Sequence, residues 1–202
     1  MENEQDSTSR RRNRTKEQFR KALIRLIKKK GYQAVTVKDI VEEAAYNRST
    51  FYFHYKDKRE LGEDLLNRMF TGLEDAAGIM YTPGRITSSK EIDVPSFSLI
   101  AYIYENKSFF ELIQYEDTLP GMHTHFPDAI LNIYKKQFEF TTINNMQVNM
   151  EYFKVYTAFG FYGLVRDLIA EDFKTPEEQF TKDVIELSQT HIETFKYIGR
   201  NE

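Results

Sequence analysis

No proline interrupts residues 1–82, and within that stretch apolar side chains return every three or four positions in short runs. Such spacing places them along one face of a helix, so the first part of the chain can fold only as a series of short amphipathic helices. Phe19, Leu23, Leu26 and Ile27 mark the first, and Lys28, Lys29, Lys30 and Gly31 close it. Thr36 and Asp39 are spaced as a capping box with the shorter acid, ahead of a second stripe formed by Val37, Ile40, Val41 and Ala44. Asn47 is placed to cap a third helix, from Arg48 to about Tyr55, in which Phe51 and Tyr55 share the core face. Asp57 and Glu60 open a fourth, longer helix with Leu61, Leu65, Met69 and Leu73 on its apolar side.

All five prolines come later, at positions 83, 95, 120, 127 and 176, and divide the rest into helix-sized pieces. Residues 81–95 read as a polar loop. Helices are expected near 96–106, 108–117, 127–144, 148–171 and 176–198. Thr175, Pro176 and Glu178 would open the last one as N-cap, first-turn proline and capping-box acid. No run shows sustained alternation of period two, so the fold class expected is all-α. Residues 1–13 lack apolar side chains after Met1 and read as a flexible basic arm. Residues 14–60 form a small helical head, and 61–202 a larger helical body.

Charge separates head from body. Residues 1–60 hold sixteen Lys and Arg against nine Asp and Glu, and residues 10–30 hold eleven basic residues against Glu17 alone. The remainder is acidic. A basic head on an acidic body suggests a polyanion as the partner of the head, although a solvated basic helix would have the same composition. Cysteine is absent, which excludes disulfides, thiolate zinc sites, iron–sulfur clusters and cysteine nucleophiles. No apolar run reaches membrane-spanning length, and the polar N-terminus is not a secretory signal, so a cytoplasmic location is expected.

Three short helices ahead of a long one suggest a helix-turn-helix unit. Residues 36–61, TVKDIVEEAAYNRSTFYFHYKDKREL, resemble the DNA-binding domain of the tetracycline-repressor (TetR/AcrR) family. Thr36, Ile40, Ala44, Thr50, Phe51, Tyr52, His54, Lys58 and Leu61 match its pattern. Val41, Ala45, Tyr46, Asn47 and Ser49 depart from it, replacing alanine, glycine, valine, serine and glycine in the turn and the start of the recognition helix. The resemblance covers about 60 residues and implies an N-terminal three-helix helix-turn-helix DNA-binding domain followed by a larger helical ligand-binding and dimerisation domain.

The chemistry of single residues runs beside that resemblance. Arg48 can read guanine through its forked guanidinium, and Ser49 and Thr50 are short hydroxyl donors for bases or phosphates. Phe53 points either outward to a thymine methyl or onto a neighbouring helix. Tyr52 and His54 carry polar tips suited to phosphate. Thr36 and Lys58 lie at helix N-termini, where free N–H groups favour an anion, and the resemblance implies phosphate contact for both. Lys38 and the arginines from Arg10 to Arg14 would add sequence-independent attraction, each neutralised phosphate steepening the log–log salt dependence by about 0.9.

Most of the 29 Phe and Tyr residues lie beyond residue 60. Many must be ordinary core, yet the excess also suits a pocket for a small apolar or aromatic effector. The resemblance implies such a cavity between the middle helices, with Tyr102, Phe109, Phe138 and Tyr156 as candidate lining. Small residues interleave with aromatics from Thr157 to Gly163, and with the last helix this segment resembles the family's dimerising pair. His123 and His125 lack placed carboxylates, read as part of a polar loop, and no metal or cofactor is expected. No Gly-rich phosphate loop, GxSxG or HExxH occurs, so an enzyme is not expected. The function expected is a ligand-responsive, homodimeric repressor binding a pseudo-palindromic operator. The alternative is a helix-turn-helix-shaped co-activator or interaction module that does not bind DNA.

Overall fold

The computed structural model describes residues 2–199, with side chains from Arg10 onward. The first helix, α1 (Glu2–Lys30), begins earlier than expected: residues 2–13, anticipated as an arm, continue the amphipathic helix. Glu, Gln and Arg are strong helix formers, so this end takes helical backbone without an apolar stripe. Three helices follow, α2 (Val37–Glu43), α3 (Arg48–His54) and α4 (Lys58–Gly78). Their starts fall where the caps predict. Thr36 and Asp39 form a complete capping box on α2, and the Asn47 side chain accepts the Thr50 N–H at the head of α3.

The chain divides into two compact units. One runs to Arg68 and is completed by Leu112–Met122; the other holds Met69–Glu111 and the chain from His123 onward. In the first unit Phe19, Leu23, Ile27, Ile40, Phe51 and Leu61 are fully buried. A polar knot reinforces this core. The buried Arg20 donates from Nε to Asp64 Oδ2 over 2.7 Å, and the Tyr55 hydroxyl donates to the same oxygen over 2.8 Å. Burial pushes the Asp64 carboxyl up, but the hydrogen bonds from Arg20 and Tyr55 and the positive charge of Arg20 and Lys16 outweigh it, leaving its pKa below the ordinary value. This knot ties α1, the end of α3 and α4 together, with charge-assisted bonds stronger than neutral ones.

The returning segment seals the α1–α2 turn. Asp117 accepts the Tyr32 N–H with its carbonyl and the Gln33 N–H with its carboxylate, all at 3.0–3.1 Å. Gly31 sits there in the left-handed region at φ 79°, and a Cβ at that position would overlap the Asp117 carboxylate.

The second unit contains α5 (Ser98–Glu105), α6 (Lys107–Phe110), most of α7 (Met122–Asn132), α8 (Met150–Ala170) and α9 (Glu177–Gln189). Its core includes Phe70, Phe109, Phe110 and Phe126, with the rings of Phe110 and Phe126 5.0 Å apart. The architecture is predominantly helical, as expected, but it also carries a small antiparallel sheet of β1 (Ile86–Ser88), β2 (Phe138–Thr142) and β3 (Ile192–Tyr197), in the order β1-β3-β2. The helices expected over 127–144 and 176–198 are therefore shorter. α7 begins five residues before Pro127, passes through a π-helical turn at Ile133–Gln137 and gives way to β2; α9 stops at Gln189 before β3. β2 does alternate, Phe138, Phe140 and Thr142 against Glu139 and Thr141, but over five residues only.

Three smaller expectations are also corrected. The segment 108–117 is one turn of α-helix followed by a 3-10 turn, Glu111–Gln114. His123 and His125 lie in the exposed first turn of α7, not in a loop. α9 takes Pro176 as its N-cap with no side-chain cap, while the Thr175 carbonyl accepts the Tyr104 hydroxyl at 2.7 Å. No helix among the described residues is long and apolar enough to cross a membrane.

Candidate functional site

The short helix α3 divides its residues between core and solvent. Phe51 and Tyr55 are buried, four residues apart, and the Phe19 ring meets Phe51 edge-on at 5.3 Å. That anchoring turns Arg48, Ser49, Tyr52 and Phe53 to the exterior. Tyr52 is 47% and Phe53 66% exposed, too much apolar area to leave in water without another use.

Hydrogen bonds order this face before any partner arrives. Asn47 Oδ1 accepts both the Ser49 and Thr50 hydroxyls at 2.7 Å. Arg48 lies over the Tyr52 ring and donates to its hydroxyl over 3.1 Å, which fixes two long side chains while leaving guanidinium donors to spare. The Arg12 guanidinium sits 5.3 Å from the Phe53 ring centroid, and Lys16 lies over Tyr55. Phe53 thus points outward and also receives a neighbouring helix, combining its two expected placements. Burial, then the charges of Lys16 and Arg12, lower the His54 pKa. The α1 cations therefore flank α3, a placement that charge counting alone does not specify.

The remaining candidates sit around the neighbouring helix starts. Thr36 is exposed, but its hydroxyl is engaged with Asp39, which Lys30 also holds at 2.7 Å. Those hydrogen bonds hold the Asp39 carboxyl far below the usual carboxylate range. Lys38 is 77% exposed, with a 3.9 Å contact to Glu42. Lys58 is turned inward: its ammonium lies 4.3 Å from the Tyr32 ring centroid and donates to the Tyr32 and Gln33 carbonyls over 2.7 and 3.3 Å. Burial lowers its pKa, against the opposing pull of Asp117 and Asp39. A phosphate there would have to compete with two carbonyls.

The turn between α2 and α3 carries backbone strain. The Tyr46 N–H bonds to the Val41 carbonyl and the Ala45 N–H to that of Glu42, the paired closure in which glycine commonly takes the left-handed position. Here that residue is Ala45, at φ 58°.

Two features mark the second unit. Tyr152, Tyr156 and Phe159 are exposed along α8, and a side chain added at Gly160 or Gly163 would meet open space. With the half-exposed Leu187 of α9 they leave an apolar surface unpartnered in the single chain. Tyr156, Phe159 and Leu187 of this surface also border a cavity of about 640 Å³. Phe138 and Tyr156 line it. Tyr102 and Phe109 do not: the Tyr102 hydroxyl donates to the Met69 carbonyl over 3.0 Å, and Phe109 is packed against Phe70 and Phe110. Residues that sequence reasoning passed over, including Tyr81, Tyr134, Phe140 and Phe195, complete the wall. The sheet brings them together, Phe140 standing opposite Phe195 across β2 and β3.

Comparison with known proteins agrees with this geometry. A family model described as bacterial regulatory proteins, tetR family, matches residues 19–65. The chain is 25% identical over 176 residues to the HTH-type transcriptional regulator YxbF of Bacillus subtilis (strain 168), covering 84% of this chain and 43% of that protein. It is 41% identical over 49 residues to YerO, an HTH-type regulator of the same organism, covering 24% and 17%. The chain thus matches less than half the length of each of these curated relatives. Among solved structures, a transcriptional regulator of the TerR/AcrR family from Aquifex aeolicus VF5 superposes with a TM-score of 0.58 at 18% identity, over 85% of this chain and 96% of that one. The SmeT–triclosan complex gives 0.61 at 14% identity, over 89% and 92%. At these identities the structures show a shared fold.

Proposed function

We propose that this chain, whose residues 19–65 match the tetR-family model of bacterial regulatory proteins, is a DNA-binding transcriptional repressor acting as a homodimer under small-molecule control. The observation that carries this reading is the exterior face of α3, where Arg48, Tyr52 and Phe53 stand ordered and exposed beside the basic N-terminal half of α1. α3 enters the major groove by its N-terminal end, with Arg48 as the reader of a guanine and Phe53 against an apolar base edge. Thr36, Lys38, Ser49, Thr50, Tyr52, His54 and Lys58 serve at the backbone or at bases. Lys58 does so by giving up its carbonyl partners, and Ser49 and Thr50 by turning from Asn47.

A single head of this size binds weakly, whereas a two-fold pair reads both halves of a pseudo-palindrome. The exposed stripe of α8 with Leu187 of α9 supports that pairing, since the open space at Gly160 and Gly163 admits a close helix approach. The cavity supports an effector site with Phe138 and Tyr156 in its wall. SmeT, which shares the fold, was solved with triclosan, a precedent for a small ligand on this architecture. An effector releases DNA only to the extent that it binds more tightly to the conformation unable to place both α3 helices.

The test is a gel shift at low salt with fragmented genomic DNA, run beside sedimentation of the protein alone. The reading expects a shifted band for the natural chain, none for the Arg48→Ala, Tyr52→Ala double variant, and a dimer for both. A dimer that shifts no fragment would favour the interaction-module alternative.

A further inference from the structure

The cavity wall contains no Asp, Glu, Lys or Arg. A charged group placed against that wall would be desolvated without a counter-charge, which favours an uncharged occupant. Nine Phe and Tyr rings and nine aliphatic side chains line the wall, and the volume of about 640 Å³ suits a drug-sized occupant.

Most of its polar atoms already have partners. The Thr157, Ser188 and Thr190 hydroxyls donate to helix carbonyls at 2.7–2.9 Å. The Tyr81 hydroxyl has Ser96 as its partner, and burial pushes its pKa up to about 12. His191 has its Nδ1 3.1 Å from the Leu187 carbonyl, while its Nε2, an acceptor when Nδ1 carries the proton, is buried with no hydrogen-bond partner among the described residues. Tyr156 is 75% exposed. Tyr134 differs. Its ring stacks on Phe140 at 5.7 Å and lies 6.4 Å from Phe161, yet its hydroxyl has no hydrogen-bond partner among the described residues. The side chain is half-buried, so this hydroxyl is a donor open to a ligand in the cavity rather than one sealed in the core. Burial also raises its pKa, so the group stays a neutral donor. Tyr134 lies in the π-helical turn Ile133–Gln137, a local geometry frequent at functional sites.

We propose that the cavity takes an uncharged, ring-bearing molecule presenting one hydrogen-bond acceptor, of the aryl ketone type, to the Tyr134 hydroxyl. This rests on the reading of the cavity as an effector site and adds the ligand's chemical class and its anchor. The apolar wall supplies affinity, and the Tyr134 donor fixes which end of the ligand enters.

The probe is prodan, an uncharged naphthyl ketone whose emission moves to shorter wavelength when its carbonyl loses a hydrogen bond. Titration of the full chain, without DNA, is compared with Tyr134→Phe, which removes one oxygen atom. The proposal expects the variant to bind prodan about 5–10-fold more weakly, the value of one hydrogen bond, with bound emission shifted to the blue. Diphenylhexatriene, a hydrocarbon without an acceptor, should bind both proteins equally and so report an intact cavity. Failure of the natural chain to bind prodan, equal affinity and emission in both proteins, or an equal loss for the hydrocarbon would each overturn the proposal. A second arm adds DNA. If prodan binds through Tyr134 but leaves DNA affinity unchanged at saturation, the effector reading fails and the anchor stands. If it releases DNA equally well from both proteins, the effector reading stands and the anchor falls.

Discussion

Replacing Ala45 by glycine should stabilise the DNA-binding unit although it removes atoms. Ala45 holds φ 58° at the end of α2, where the Tyr46 and Ala45 N–H groups close the helix onto Val41 and Glu42. A side chain in that region costs roughly 1–2 kcal/mol because Cβ crowds the backbone. Glycine removes the crowding but gives the unfolded chain more freedom, an opposing term of about 0.4–1 kcal/mol. The balance is a gain of about 0.5–1 kcal/mol, which at this chain length raises the thermal midpoint by roughly 1–4 °C. Ala44 is the control: it is the preceding residue, buried, and in the ordinary right-handed region at φ −83°. Ala44→Gly should lower the midpoint, since it loses a buried methyl and gains only unfolded-state entropy. Melting both variants by circular dichroism settles the matter. A fall for Ala45→Gly, or the same sign for both substitutions, would refute the argument that strain sits at this one residue.

Three further outcomes follow from the same geometry. Arg48→Ala should weaken binding to a selected operator by about 1–3 kcal/mol and relax preference at one base pair, measured by fluorescence anisotropy against single-base variants; an unchanged preference would remove Arg48 from base reading. The folded pKa of Asp64 is lowered, so its share of stability is present above the ordinary carboxylate value near 3.9 and lost as pH falls through the folded value; thermal midpoints between pH 7 and 3 should fall less steeply in Asp64→Asn than in the natural chain, and parallel curves would count against the knot. Gly163→Arg, set where added atoms meet open space in the single chain, should leave folding intact and give monomers in sedimentation, whereas a persistent dimer would move the interface elsewhere.

The head was legible because its signals are local. Thr36, Asp39 and Asn47 cap within three residues of themselves, and the four-residue step from Phe51 to Tyr55 fixes which side of α3 is buried. The body was less legible because its decisive contacts are distant. β2 pairs with β3 more than fifty residues away, and five residues of alternation inside a helical run do not announce a strand. The same distance explains the cavity: Phe138 and Tyr156 are candidates through the family resemblance, while Phe195 joins them only through the sheet. Tyr102 suits a pocket by composition, yet its hydroxyl is drawn to the Met69 carbonyl. Lys58 shows the converse limit, since a motif match says nothing about the two carbonyls that occupy its ammonium.

In the proposed function the exposed face of α3 meets duplex DNA twice, through a symmetric pair of chains. Footprinting the full chain on genomic DNA tests it most directly. Two protected half-sites about one helical turn apart, related by a dyad, are expected, and both should be lost together in the Arg48→Ala, Tyr52→Ala variant. A single protected patch without symmetry, or protection that survives the double substitution, would contradict it.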